Sequence, residues 1–156
     1  MTDFTEQDIL GMKKAYEQAY ISYKEEGGIP IGAALINNLT GELLGVGHNE
    51  RVQKGSPILH GETSCLANVG RLPAKIYKNC TLYTTLSPCA MCSGTCLLYD
   101  IKRLVVGENK TFMGEEELLK SRGVEIIVVD DEKCKAIMAE FIKEKPELWN
   151  EDIGEE

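Results

Sequence analysis

The sequence is short of basic charge: 17 Lys+Arg stand against 25 Asp+Glu in 156 residues, a formal net charge of −8. With a pI near 4.9, it is a poor match for a phosphate backbone, which nucleic-acid binders neutralise with lysine and arginine. No run approaches the ~18 apolar residues of a membrane span, so no membrane contact is expected. The N-terminal stretch MTDFTEQDIL is acidic and lacks a basic segment leading into an apolar one, so no secretory signal is read there. The expected location is the cytoplasm, with the nucleus as a second. There is no internal repeat, low-complexity tract or Gly/Ser linker. The length suits one core, and a single domain over residues 1–156 is expected. A domain of this size buries roughly 70% of its unfolded surface and needs neither disulfide nor metal merely to fold. In this context the six cysteines read as thiols or metal ligands, not a disulfide framework. Histidine is scarce: His48 and His60 are the whole supply.

At 43% hydrophobic and 27% charged residues, the remaining composition is that of an ordinary globular protein. Residues 5–26 read as a helix, with Thr5 and Asp8 as a capping box and Ile9, Met12, Tyr16, Ala19 and Tyr23 facing the core. IGAALIN (31–37) and ELLGVGHN (42–49) read as a hairpin, and 50–59 as a loop. Then come a helix over 60–70, a strand over 80–85, a helix over 89–99 and a strand over 103–107. Residues 115–123 form a helix with acids in its first turn and bases in its last. A buried strand (124–130), an amphipathic helix (131–145) and the tail ELWNEDIGEE follow. Strands alternating with helices in the second half imply parallel pairing, whereas the opening hairpin is antiparallel. The expected fold is α/β, a three-layer α/β/α sandwich on a central five-stranded mixed sheet.

The strongest chemical signal is His60-Gly61-Glu62 together with Pro88-Cys89-Ala90-Met91-Cys92. A Cys-x-x-Cys pair plus a distant histidine has the ligand types that zinc prefers, and three protein ligands leave the open position of a catalytic site. Both cysteines fall at the start of a predicted helix, where backbone N–H groups and the dipole favour thiolate. His60 also stands where a helix begins. Glu62 is too close in sequence to His60 to be an easy second ligand, but it suits a carboxylate beside a metal-bound water. Zinc lowers the pKa of that water towards ~7, and a neighbouring carboxylate can take its proton and pass it on. Cys96, one helical turn after Cys92, could instead close a purely structural site. Cys65, Cys80 and Cys134 read as buried small hydrophobes, and His48 as a structural residue.

Taken together these residues form the H-x-E…P-C-x-x-C pattern of zinc nucleobase deaminases, and the sequence resembles the cytidine-deaminase superfamily. Beyond the motif it is similar to the fungal cytosine deaminase branch along nearly the whole chain. The similarity is carried by GGIPIGAALIN, GHNERVQKGS, LHGE, TLYTTLSPCAMC, VVGEN, VVDDEKCK and the terminal EDIG. The resemblance implies hydrolysis of free cytosine to uracil and ammonia in pyrimidine salvage, by a homodimer with one Zn2+ per subunit. It implies that His60, Cys89 and Cys92 hold the zinc and that Glu62 shuttles the proton. Asn49 and Asp152 match substrate-recognising positions, Ile31, Leu86, Phe112 and Trp149 an apolar pocket, and the backbones of Gly61 and Ser87 contacts to the base edge. The segment TFMGEEELLKSRG is shorter than in the family, and Ala90 stands where the family can carry an acid.

Elementary recognition chemistry supports these roles. The C2 carbonyl of cytosine needs a donor, which an Asn amide or a backbone N–H provides. Its N1–H needs an acceptor such as Asp152. A nucleoside has no hydrogen at N1, so a carboxylate aimed there would reject cytidine. Phe112 and Trp149 would sandwich the ring or roof it. The competing expectations are a guanine deaminase, a tRNA adenosine deaminase, and a zinc-stabilised binding module without turnover. A tRNA enzyme calls for a basic groove, whereas residues 144–156 hold six acids and one lysine.

Overall fold

A computed structural model describes residues 4–155; the first three residues of the N-terminal run read above lie outside the described residues. Thr5 starts helix α1 (Glu6–Tyr20), its hydroxyl accepting from the Asp8 N–H while the Asp8 carboxylate accepts from the Thr5 N–H at 2.9 Å. A π-helical turn over Ile21–Glu25 continues it. Strands β1 (Gly32–Asn37) and β2 (Leu43–His48) form the expected antiparallel hairpin. Helices α2 (Arg51–Lys54), α3 (Gly61–Val69) and α4 (Ala74–Lys78) lead into strand β3 (Cys80–Leu86). Helix α5 (Ala90–Leu98) connects β3 to β4 (Arg103–Glu108), and α6 (Glu116–Ser121) connects β4 to β5 (Glu125–Val128). Helices α7 (Glu132–Glu144) and α8 (Pro146–Asp152) close the chain.

The sheet has five strands in the order β2-β1-β3-β4-β5. Pairing from β3 to β5 is parallel and from β2 to β3 antiparallel, as the alternation of elements predicts. Side chains divide by the period of two. Ala33, Leu35, Leu82 and Leu104 face one layer with Cys65, Cys96 and Leu119. Ala34, Ile36, Tyr83 and Val105 face the other with Met12, Ala15 and Cys134. A third apolar cluster, containing Ile31, Leu86, Phe141 and Trp149, gathers at one end of the sheet. That end carries the site. Among the described residues no helix is long and apolar enough to cross a membrane.

Several local expectations are corrected. Ile9 is 58% exposed, not in the core; the buried side of that turn belongs to Asp8, which is held by Arg103 at 2.7 and 2.8 Å. Strand β5 is not buried: it pairs on one side only, and Val128 is 36% exposed. The 50–59 loop contains the short helix α2, closed by Gly55 at φ 59°, too brief to leave a periodicity in sequence. The C-terminal tail carries helix α8 as far as Asp152, opened by Pro146 in its first turn, where a missing N–H costs nothing.

Candidate active site

The two halves of the motif meet at helix starts. His60 is the residue that opens α3, and its N–H is held by the Thr63 hydroxyl at 2.9 Å. Cys89 opens α5, and Cys92 lies in that helix's first turn. The ligating atoms of His60, Cys89 and Cys92 all lie within 4.8 Å of one another, with Cys89 Sγ 3.5 Å from His60 Nδ1. Cys96 is fully buried but lies outside this group. The other ring nitrogen of His60, Nε2, faces Asp152 Oδ1 at 3.7 Å.

The electrostatics are those of a crowded anionic site. The Cys89 thiol is pulled down to about 4, first by its hydrogen bond with Cys92 and then, against burial, by His60. Cys92 is correspondingly raised, by that same contact and by burial. Glu62 is buried, and burial, followed by the charge on Cys89, pushes its carboxyl up to about 7. Burial also raises Asp152. The donor set fits zinc: one imidazole and two thiols in ligating distance, an acid beside them that is not among the three, and a concentration of negative charge that a divalent cation would relieve.

The surrounding cavity is lined by Ile31, Leu86, Ser87, Phe112, Trp149, Asp152 and Ile153, together with His60, Glu62 and Cys89. Helix α8 brings Trp149 and Asp152 to it, three residues apart and so on one helical face. Asn49 is fully buried and does not itself line the cavity, but it touches the lining residue Asp152. Its Nδ2 donates to Asp152 Oδ1 at 3.1 Å and its Oδ1 accepts from the Arg51 N–H at 3.0 Å, which leaves one amide hydrogen unspent. Gly61 packs under Ile31: an added Cβ would lie 3.1 Å from the Ile31 carbonyl oxygen. Phe112 and Trp149 meet edge to face, centroids 6.1 Å apart at 89°. They make a corner over the pocket, not the parallel plates of a sandwich.

Two contributors escaped the sequence reading. Ile153 completes the apolar wall; its presence in the quoted EDIG stretch was the available signal. Arg51, 13% exposed, lies 3.4 Å from Glu151 and 3.5 Å from Asp152 and so ties α2 to the tail. Nothing in a lone arginine after Asn-Glu announces that. His48 takes a structural part, between Gln18 at 2.6 Å and Glu26 at 2.8 Å. Cys65, Cys80 and Cys134 are buried, and burial raises all three thiols.

Comparison with known proteins agrees with this geometry. Residues 5–108 match the cytidine and deoxycytidylate deaminase zinc-binding region. The chain is 58% identical over 148 residues to the cytosine deaminase of Candida albicans, covering 95% of this chain and 97% of that protein. It is 31% identical over 148 residues to the tRNA-specific adenosine deaminase of Bacillus subtilis, covering 88% of this chain and 90% of the other. Among solved structures, the guanine deaminase of Nitrosomonas europaea superposes with a TM-score of 0.66 at 22% identity, over 88% of this chain and 84% of that one, a likeness of fold. With its fold, its His/Cys/Cys cluster and two thirds of its length all answering to one description, the chain belongs to the cytidine and deoxycytidylate deaminase family.

Proposed function

We propose that this chain is a zinc-dependent hydrolase that deaminates the free base cytosine to uracil and ammonia. The observation that carries this is the buried Glu62 beside the converged His60, Cys89 and Cys92, inside a small apolar pocket that ends on Asp152. Its weight is increased by the identity to a cytosine deaminase over almost all of both chains. His60, Cys89 and Cys92 would hold one zinc ion. When bound, zinc supplies a Lewis acid that makes an activated water available near neutrality.

The rest falls to the chain's own groups. Glu62 takes the water's proton and delivers it to N3 of the ring as C4 is attacked, then takes the proton of the new C4 hydroxyl and passes it to the 4-amino group, which departs as ammonia and leaves the C4 carbonyl of uracil. A buried carboxyl beside the three ligands is placed to accept and return a proton in both steps. The unspent Asn49 amide hydrogen meets the C2 carbonyl oxygen, and Asp152 accepts the N1–H. Gly61 and Ser87 offer backbone groups to the base edge. Ile31, Leu86, Phe112 and Trp149 exclude water around the ring. The acceptor at N1 is what selects a free base over its nucleoside. The acidic tail disfavours a polynucleotide substrate. We further read the chain as a single domain over residues 1–156, acting as a homodimer in the cytoplasm, with the nucleus as a second location, on a small pyrimidine, without nucleic-acid or membrane partners.

The test is ammonia release from cytosine, cytidine, adenine, guanine and an adenosine-containing tRNA stem-loop, by protein of measured zinc content. Cytosine turned over far faster than the others, at one zinc per chain, is the expected result. Preference for guanine or the stem-loop would overturn the substrate assignment, and full zinc loading with no turnover of any would favour a binding module.

A further inference from the structure

Two buried acids take no part in the chemistry above. Glu108 is fully buried and Glu116 is 4% exposed, and neither is among the residues that line the cavity, whereas Leu86, Ser87 and Phe112 are. They bracket the 109–115 loop, which carries Phe112. The Glu108 carboxylate accepts from the N–H groups of Lys110 and Thr111 at 2.8 and 2.9 Å. Its carbonyl accepts from the Ser87 N–H at 3.0 Å. The Glu116 carboxylate accepts from the Ser87 hydroxyl at 2.6 Å and from the Asn109 amide at 3.3 Å.

The direction of these bonds is fixed. The Gly114 N–H reaches Ser87 Oγ at 2.9 Å and can only donate. The serine hydroxyl therefore accepts there, and its single proton goes to Glu116. Ser87 has no hydroxyl proton left for the cavity and no free N–H. Among the described residues, only its carbonyl oxygen is left to meet a ligand. The loop is locked to the same turn a second time, through the Glu115 N–H on the Pro88 carbonyl at 3.0 Å. At Gly114 an added Cβ would lie 1.8 Å from that carbonyl oxygen, so the approach admits no side chain.

We propose that Glu116, acting through the Ser87 hydroxyl, is a positioning residue that sets the edge of the base pocket by locking the Ser87–Pro88 turn to the loop carrying Phe112. Phe112 and the Ser87 backbone sit on different segments, and this hydrogen-bonded chain is what holds them in one geometry. The pocket is shaped from behind, by a carboxylate that never touches the base. This rests on the reading of the site as a cytosine pocket.

The experiment compares wild type with E116A, E116Q, S87A and the S87A/E116A double variant, in steady-state kinetics on cytosine at measured zinc content. Removing the acceptor or the hydroxyl should raise KM about ten-fold, with kcat changed less than about three-fold and zinc retained. E116Q keeps an oxygen for Ser87 and should stay within about three-fold of wild type. The double variant should be no worse than the poorer single, because both break one chain. Unchanged KM in S87A, or KM effects that multiply in the double variant, would overturn the proposal. So would an E116A that loses only thermal stability. If E116A does not fold, S87A and E116Q still decide it. Wild-type turnover separates the two readings: should wild type prefer another base, the cytosine reading fails, and the same KM split is then sought with that base.

Discussion

Two of the places where the molecule buries charge treat it in opposite ways. At the far end of the sheet, Asp8 is wholly enclosed yet fully partnered. It receives the Arg103 guanidinium at 2.7 and 2.8 Å, the Tyr83 hydroxyl at 2.7 Å and the Thr5 N–H at 2.9 Å. Burial works to raise its carboxyl, but Arg103, Tyr83 and Thr5 overcome it and bring it down to about 2. In the pocket, burial prevails. Glu62 rises to about 7 and Asp152 is raised as well, while the Nε and one terminal nitrogen of Arg51 are enclosed without a hydrogen-bond partner. A buried acid that has every partner is a staple. One whose carboxyl burial raises, as at Glu62, is poised to carry a proton.

The comparison is sharpest if exchanging carboxylate for amide has opposite consequences at the two places. Glu62→Gln should cost the largest effect, at least about 10³-fold in turnover, with zinc content unchanged and thermal stability no lower than wild type. The stability follows because an acid that burial disfavours is exchanged for a neutral group of the same shape. Native-rate deamination by this variant would end the proton-shuttle assignment. Asp152→Asn should come next, lowering kcat/KM for cytosine by about 10²-fold, since an acceptor for N1–H becomes a group that can also donate. Unchanged kinetics would remove the N1 argument.

The sheet and the metal cluster were both legible in the sequence, for physical reasons. Alternation of apolar residues at period two, as in Ala33 to Ile36, states which face each strand buries. The Cys-x-x-Cys spacing at a helix start points to a metal once it is joined to the distant His60-Gly61-Glu62. Glu62 was legible as an acid beside the cluster because it stands only two residues after His60, at the start of the same helix. What could not be read was whatever depends on a partner distant in sequence. Asp8 had the look of a cap and no more; its real partner, Arg103, lies on β4. Arg51 finds Asp152 only because α8 folds back across the site. The exposure of Ile9 follows from the same cause, since helical periodicity alone cannot say that a buried ion pair will claim the neighbouring position. The corner made by Phe112 and Trp149 depends on a loop and a terminal helix meeting, and no local pattern encodes that angle.

At the stapled end the expected losses are in stability alone. Asp8→Asn keeps the shape but leaves Arg103 with a weakened partner, and should cost about 3 kcal/mol. That corresponds to a fall of roughly 6–12 °C in melting temperature for a domain of this size. The zinc content and the KM of the folded protein should not change. A loss of KM in this variant would mean that the two ends are coupled, and the division drawn above would fail.

The smallest effect lies in the acid limb of the same residue. The folded pKa of Asp8, about 2, is below its ordinary 3.8. Its ionised form is therefore the one that folding favours, and the stability it contributes is complete above the unfolded value. As the pH falls from about 4 through 2, the unfolded chain takes up this proton before the folded one does, and up to about 2 kcal/mol is lost. Urea unfolding of wild type and Asp8→Asn between pH 5 and 2 isolates this contribution, since every other carboxylate is common to both. The two stability curves should converge on acidification, because only wild type has Asp8 to lose. Parallel curves would show that Asp8 is held by packing and not by charge, and the staple would then be no different in kind from the apolar contacts around it.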